Sequence, residues 1–231
     1  MKFMKDYGWV TVLILSLFMG VQACNAQSSS NDIKKVEEPA EGLLKATFAG
    51  GCFWCMEAPF EVLDGVKLVK SGHTYGEIDY PTYRQVASGN TKHVESVIIH
   101  YDPDVISYDS LLYVYWRNIK PTQENGQFYD RGSQYKTYIF YHNQEQKRLA
   151  EKSKRELAKS GKFDQPIATK IVQAPEDFWL AEEYHQNYYH KQESDYMQYY
   201  IGSGRRDFIK NTWPDYYATY KKQKKKLDQP K

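Results

Sequence analysis

From residue 43 onward the chain alternates short β-rich apolar runs with segments of helical period. Leu44 to Ala49 reads as a strand that stops at Gly50-Gly51. Cys52 to Leu63 follows as a helix, with Trp54, Ala58 and Val62 at helical spacing and Pro59 tolerated only in the first turns. Val66 to Tyr75 predicts a strand, Tyr80 to Gly89 is rich in turn residues, and Val94 to Tyr101 is a strand closed by Asp102-Pro103-Asp104. Ser107 caps a helix running to Trp116, and Pro121 to Ser133 is a polar loop of the kind that often carries function. Tyr135 to Tyr141 predicts a strand, Gln144 to Ser160 an amphipathic helix ending at Gly161, and Ala168 to Gln173 a last strand. No internal repeat is present. The alternation predicts an α/β (α+β) fold: a two-layer sandwich around a mixed β-sheet, with a ferredoxin-like core, long loops and an extended C-terminal segment.

The two ends carry other patterns. Lys2 and Lys5 precede an apolar run, Trp9 to Val21, that is short for a membrane span, and Val21-Gln22-Ala23 leads to Cys24. This predicts a signal peptide over 1–23 and lipidation at Cys24, although cleavage after Ala26 also satisfies the small-x-small rule. Either route gives an exported protein, a periplasmic or cell-envelope lipoprotein of a bacterium if Cys24 is acylated. Residues 24–42 read as a flexible tether, 43–200 as the catalytic domain, and 201–231 as a tail that is aromatic and then basic. The tail is expected to be a solvated end, the alternative being contact with anionic lipid headgroups.

The composition, with 41% hydrophobic and 26% charged residues, is globular, and a net charge of +2 gives no pull toward nucleic acid. The 21 tyrosines suit half-buried clefts and packing. Of 3 cysteines, Cys24 belongs to the export segment, so Cys52 and Cys55 are too few for a disulfide scaffold and read as reactive.

Chemistry concentrates in Gly50-Gly51-Cys52-Phe53-Trp54-Cys55-Met56-Glu57. Two glycines after a strand allow a tight turn, and a cysteine at the next helix start meets unpaired N–H groups and the positive dipole end. Both predict a lowered thiol pKa. Cys55 lies three residues on, on the same face. The bare pair fits a thiol-disulfide oxidoreductase, a zinc site or an attacking and resolving couple. Zinc lacks further ligands at matching spacing, and no metal is expected. In the strand at Val94, Glu95 shares its side with Val97, Ile99 and Tyr101, so it is either a desolvated acid of raised pKa or an exposed edge carboxylate.

Gly-Cys-Phe-Trp-Cys-x-Glu resembles the signature of the A-type peptide-methionine sulfoxide reductases. The resemblance continues in order through Tyr80-Pro81-Thr82-Tyr83, Thr91-Lys92-His93-Val94-Glu95, Tyr129-Asp130-Arg131-Gly132-Ser133-Gln134-Tyr135 and Phe178-Trp179-x-Ala181-Glu182-x-Tyr184-His185-Gln186, covering roughly Leu43 to Lys191. It implies that Cys52 attacks the sulfoxide sulfur and that Glu95 protonates the oxygen. Tyr83, Tyr135 and Asp130 complete the polar side, and Phe53 and Trp54 hold the substrate methyl. Glu57 and His185 sit behind them in supporting roles. It implies no bound cofactor, a thioredoxin-like external dithiol as reductant, free or protein-bound methionine S-sulfoxide as substrate, and a monomer. Cys52 would become a sulfenic acid that Cys55 resolves to a disulfide. Many members carry resolving cysteines near the C-terminus and this chain does not, which leaves the step to Cys55. Ile119-Lys120-Pro121-Thr122 also departs from the family pattern, so hydrogen bonding in that loop should differ. An exported disulfide oxidoreductase and a non-catalytic aromatic binding module are the competing readings.

Overall fold

The computed structural model describes residues 33–227; the expected signal peptide, Cys24 and the first part of the tether lie outside the described residues. The frame is a six-stranded sheet in the order β7-β6-β1-β3-β2-β8. Its strands are β1 (Leu44–Gly50), β2 (Val66–Thr74), β3 (Val94–Tyr101), β6 (Thr137–Tyr141), β7 (Lys170–Gln173) and β8 (Phe178–Leu180). Only the β6–β7 pair is parallel. The central order β6-β1-β3-β2, with helix α1 (Phe53–Glu61) between β1 and β2 and helix α3 (Tyr108–Arg117) between β3 and β6, is the split βαβ plan of ferredoxin-like folds, and helix α4 (Gln144–Lys159) follows β6 and leads to β7.

The side-chain period of two sorts the strands into faces. Ala46 and Phe48 of β1, Val97 and Ile99 of β3, and Ile139 of β6 join Met56, Phe60, Leu111, Tyr115 and Ala150 in one core beneath the helices. Phe48 stacks on Phe60 and Tyr115 with ring centroids 5.4 and 4.9 Å apart. The opposite parity, Ala49, Val94, Tyr138 and Phe140, forms a smaller cluster on the other face. Being central, β3 is buried along its whole length, so Glu95 cannot be an edge residue. Ser107 and Asn143 cap α3 and α4 by accepting from amides three residues on.

Several elements differ from the sequence-based expectation. Ala168–Gln173 contains a strand, but β8 follows it and pairs with β2. The chain at 34–36 then hydrogen-bonds to β8 and Ile33 is buried, so residues 33–36 of the expected tether are docked. The turn-rich Tyr80–Gly89 segment holds α2 (Tyr83–Ala87), nucleated by a capping box between Thr82 and Gln85. The loop at 121–133 encloses a small hairpin, β4 (Gly126–Gln127) with β5 (Asp130–Arg131). Its altered entry is held by Gln127, which bonds both the amide and the carbonyl of Lys120. Tyr135 ends a 3₁₀ turn, and the following strand begins at Thr137.

The largest correction concerns the C-terminal segment, which packs onto the domain as far as Tyr220, while Lys221, Lys222 and Lys225 of the basic run after it are exposed. After the short α5 (Tyr188–Lys191), helices α6 (Glu193–Gly202), α7 (Arg205–Thr212) and α8 (Pro214–Leu227) fold back. Tyr196, Tyr200 and Ile209 are buried with Cys52, Cys55 and Ala58, and Tyr220 is buried too. Tyrosine supplies the apolar face, which a count of aliphatic positions overlooks.

Candidate active site

β1 brings the chain to Gly50, and two glycines turn it into α1. Gly51 has a φ of +84°, and a Cβ there would lie 2.5 Å from Gln127 Cβ and 2.9 Å from Arg205 Nη2. A Cβ on Gly50 would meet the Met56 sulfur at 2.5 Å. The turn therefore has no room for a larger residue. It leaves Cys52 as the N-cap of α1 and puts Cys55 in the first turn, whose amide donates to the Cys52 carbonyl at 3.1 Å. Both thiols are reduced, and they hydrogen-bond to one another. Cys52 keeps 6% of its surface and Cys55 1%, so substrate can reach only the first.

A lowered pKa for Cys52, expected from the helix start, is not found. Burial, reinforced by the hydrogen bond with Cys55, pushes the Cys52 thiol well above its ordinary value. A helix terminus contributes about 0.3–2 kcal/mol, whereas full desolvation shifts an acid by up to about 3–5 pH units, and desolvation wins. Cys55 goes the other way: burial raises it, but the hydrogen bond from Cys52 and the charge of Arg205 bring it below the ordinary value.

Glu95 lies across from this turn, 1% exposed, and its Oε2 accepts the Phe53 amide at 3.0 Å. The carboxyl is thus tied to the residue that follows Cys52. Its register partner on β2 is His73, itself buried and held neutral by burial, with a pKa of about 3, so no cation sits beside Glu95 there. Burial first, and then the proximity of Cys52, raises the Glu95 pKa well above the carboxylate range, against the pull of the Phe53 amide.

Tyr83 from α2 and Tyr135 from the 3₁₀ turn are half-buried; burial first, then the nearby Glu95, raises both hydroxyl pKa values, which keeps them donors. Asp130 from β5 is raised by burial and accepts the Tyr199 hydroxyl at Oδ2. Phe53 and Trp54 form the apolar wall. The Phe53 ring is 6.2 Å from Tyr83, and Trp54 stacks on Tyr188 at 3.9 Å with Tyr199 edge-on at 6.0 Å. The Trp54 indole N–H donates to His185 Nδ1 at 3.1 Å. Burial pushes His185 down to about 4, so the ring is neutral and able to accept. The structure therefore brings Cys52, Cys55, Phe53, Trp54, Tyr83, Glu95, Asp130, Tyr135 and His185 together.

Glu57, a residue of α1, is fully buried, with both carboxylate oxygens accepting the Asn187 amide at 3.1 and 3.0 Å. Burial raises it to about 8 from an ordinary 4.5, with Asn187 opposing. A carboxyl of raised pKa contributes stability that is complete below the unfolded value and lost as pH rises through the folded one. The melting temperature should therefore fall between about pH 5 and pH 9. Glu57→Gln, which keeps an acceptor for Asn187, should remove a few kcal/mol of that pH dependence. An unchanged slope in calorimetry of the variant would locate the titrating group elsewhere.

Two residues of the site escaped the sequence analysis. Tyr199 orients Asp130 from α6, and Arg205, 1% exposed at the head of α7, donates to the Gly50 and Asn118 carbonyls at 2.8 and 2.6 Å. The available signal was the helical spacing of Tyr196, Tyr199 and Tyr200. Among the described residues no His, Cys, Asp and Glu side chains gather into a group of three able to hold a metal ion. No described helix is long and apolar enough to cross a membrane.

Comparison with known proteins bears directly on this geometry. A family model described as peptide methionine sulfoxide reductase matches residues 44–217, a span that includes α6 and α7. The peptide methionine sulfoxide reductase MsrA of Bacillus licheniformis is 53% identical over 168 residues, covering 73% of this chain and 92% of that protein. The MsrA of Listeria monocytogenes is 51% identical over 173 residues, covering 75% and 97%. Among solved structures, reduced Mxr1 from Saccharomyces cerevisiae superposes with a TM-score of 0.62 at 30% identity, over 70% of this chain and 90% of that one. Methionine sulfoxide reductase A of Corynebacterium diphtheriae gives 0.60 at 26% identity, over 72% and 91%. A buried cysteine pair facing a buried carboxyl, on a chain matched over this length, belongs to the MsrA family of peptide methionine sulfoxide reductases.

Proposed function

We propose that this enzyme reduces the S epimer of methionine sulfoxide, through a sulfenic acid on Cys52 and then a Cys52–Cys55 disulfide. The observation that carries the reading is the Glu95 carboxyl held on the Phe53 amide at 3.0 Å, one residue from the nucleophile and with no adjacent cation to ionise it. Cys52 sulfur attacks the sulfoxide sulfur as Glu95 gives its proton to the oxygen. The hydroxyls of Tyr83 and Tyr135 donate to the same oxygen and polarise it. The S–O bond passes to Cys52: methionine leaves, reduced by two electrons, and Cys52 is oxidised to the sulfenic acid. Cys55 then displaces that hydroxyl, forming the S–S bond and releasing water. A thioredoxin-like dithiol restores both thiols. Phe53 and Trp54, fixed by His185 and Tyr188, form an aromatic surface suited to the substrate's methyl group.

The test is turnover of the two sulfoxide epimers, free and in a peptide, with thioredoxin as reductant. Methionine should appear from the S epimer alone. Disulfide reduction that proceeds without any sulfoxide dependence would instead favour a general thiol-disulfide oxidoreductase. The place of action proposed is outside the cytoplasm, in repair of oxidised exported proteins. Its support is the charged start, the apolar run to Val21 and the Ala23-Cys24 junction. Cell fractionation that recovers the enzyme in the cytosol would overturn that part.

A further inference from the structure

Arg205 is among the largest fully buried side chains of the protein, and the acid whose charge reaches it, Asp130, is bonded to Tyr199 and not to the guanidinium. Its hydrogen-bond acceptors are two neutral carbonyls, Gly50 and Asn118, with the Met56 sulfur at 3.7 Å from Nη1 and the Phe128 ring 4.6 Å from the guanidinium carbon. Among the described residues it forms no ion pair with a carboxylate. A buried cation without an anion costs several kcal/mol of desolvation. The place where an anion forms is close by. Nη2 lies 2.9 Å from where a Gly51 Cβ would stand, directly under the turn that carries Cys52.

We infer that Arg205 is the counter-ion of the cysteine pair, a positioning residue that holds Cys55 as a thiolate for attack on oxidised Cys52 and makes the resulting disulfide easy to reduce. This rests on the resolving role proposed for Cys55. Of the groups around the pair, Glu95, Asp130, Tyr196, Tyr199, Tyr200 and Tyr220 are neutral or anionic, and among the described residues Arg205 is a cation whose charge couples to both thiols. The Cys55 thiolate forms the S–S bond as the Cys52 S–O bond breaks; the departing hydroxide takes a proton and leaves as water. Cys55 sulfur is oxidised and the sulfenic sulfur reduced. The disulfide carries no charge, so Arg205 then lacks its anion, and the dithiol state is favoured relative to the disulfide. Arginine suits the position because its planar fork reaches two carbonyls from separate segments while its charge stays fixed.

The test is the pH titration of the Cys55 Cβ chemical shift, read by NMR in the reduced full chain labelled at cysteine, with the reduction potential of the pair alongside. Arg205→Met should move the Cys55 midpoint up by at least about one pH unit, roughly tenfold less thiolate below it. It should also make the disulfide tenfold harder to reduce, a potential about 30 mV more negative. Arg205→Lys should recover most of the midpoint even where its melting temperature stays low, a recovery that a purely structural role would not give. Unchanged midpoint and potential in the Met variant would overturn the inference. Should that variant not fold, Arg205→Gln, a neutral donor, is read in its place. A wild-type Cys55 midpoint above the ordinary thiol value of about 8.5 overturns the inference without any variant. Wild-type enzyme that forms no Cys52–Cys55 disulfide after sulfoxide refutes the resolving role instead, and the Cys55 titration midpoint still decides the part played by Arg205.

Discussion

Cys55→Ser is expected to release one equivalent of methionine per enzyme and then stop with thioredoxin as reductant, whereas Cys52→Ser should release none. The two thiols are chemically alike and differ in place. Cys52 caps α1 with the residual exposure of the pair, while Cys55 lies deeper, against Tyr196 and Tyr200. Substrate sulfur can therefore meet Cys52 and not Cys55. Removing the nucleophile leaves a serine hydroxyl in an acidic, dry site without a base to activate it, and the rate should fall by about a thousandfold or more. Removing Cys55 leaves the first half of the reaction intact. Cys52 then stays as a sulfenic acid, since the variant has no neighbouring thiol to convert it into the disulfide on which the dithiol reductant acts. Mass spectrometry after one turnover should find a sulfenic-acid trap on Cys52. Multiple turnovers of Cys55→Ser at the wild-type rate would show that thioredoxin reduces Cys52 directly, and Cys55 would lose its resolving role.

How far such a site can be read from a sequence depends on which force sets each part of it. β1, β3, α3 and α4 follow from period and caps, because their faces are sorted by burial of aliphatic side chains. The Gly50-Gly51-Cys52 turn follows from steric need, and the structure leaves no space for a Cβ at either glycine. Parity with Val97 and Ile99 leaves Glu95 open between a desolvated acid and an edge carboxylate, and it is the central place of β3, buried along its length, that decides for the first. What the sequence does not carry is the balance of opposing local effects at Cys52, where dipole and desolvation differ in sign and only the three-dimensional burial decides. Nor does it carry the docking of α6, α7 and α8. Their contact face is tyrosine, which reads equally as surface, and Arg205 within that segment reads as a solvated charge. β8 escaped for a different reason: three residues with Pro175 just before them give too short a pattern to register.

Glu95→Gln should lower the rate by about 10²–10⁴, the usual worth of a positioned proton donor. It should also change the shape of the pH profile. Gln keeps an acceptor for the Phe53 amide and a similar volume, so the turn that holds Cys52 stays in place. What disappears is ionisation. In the wild type both acids are raised by burial, and Cys52 raises Glu95 further, so the site resists a second negative charge. Of the Cys52 and Glu95 protons the productive form has lost one, with the Cys52 sulfur anionic and the carboxyl protonated, and the two apparent pKa values belong to that pair. Wild-type activity should therefore rise with pH as the first proton leaves and fall as pH passes through the raised value for losing the second. The variant should keep the rise and lack the fall, because no carboxyl remains to ionise. A variant that retains the descending limb and loses less than about tenfold in rate would make a tyrosine hydroxyl, Tyr83 or Tyr135, the proton donor in place of Glu95.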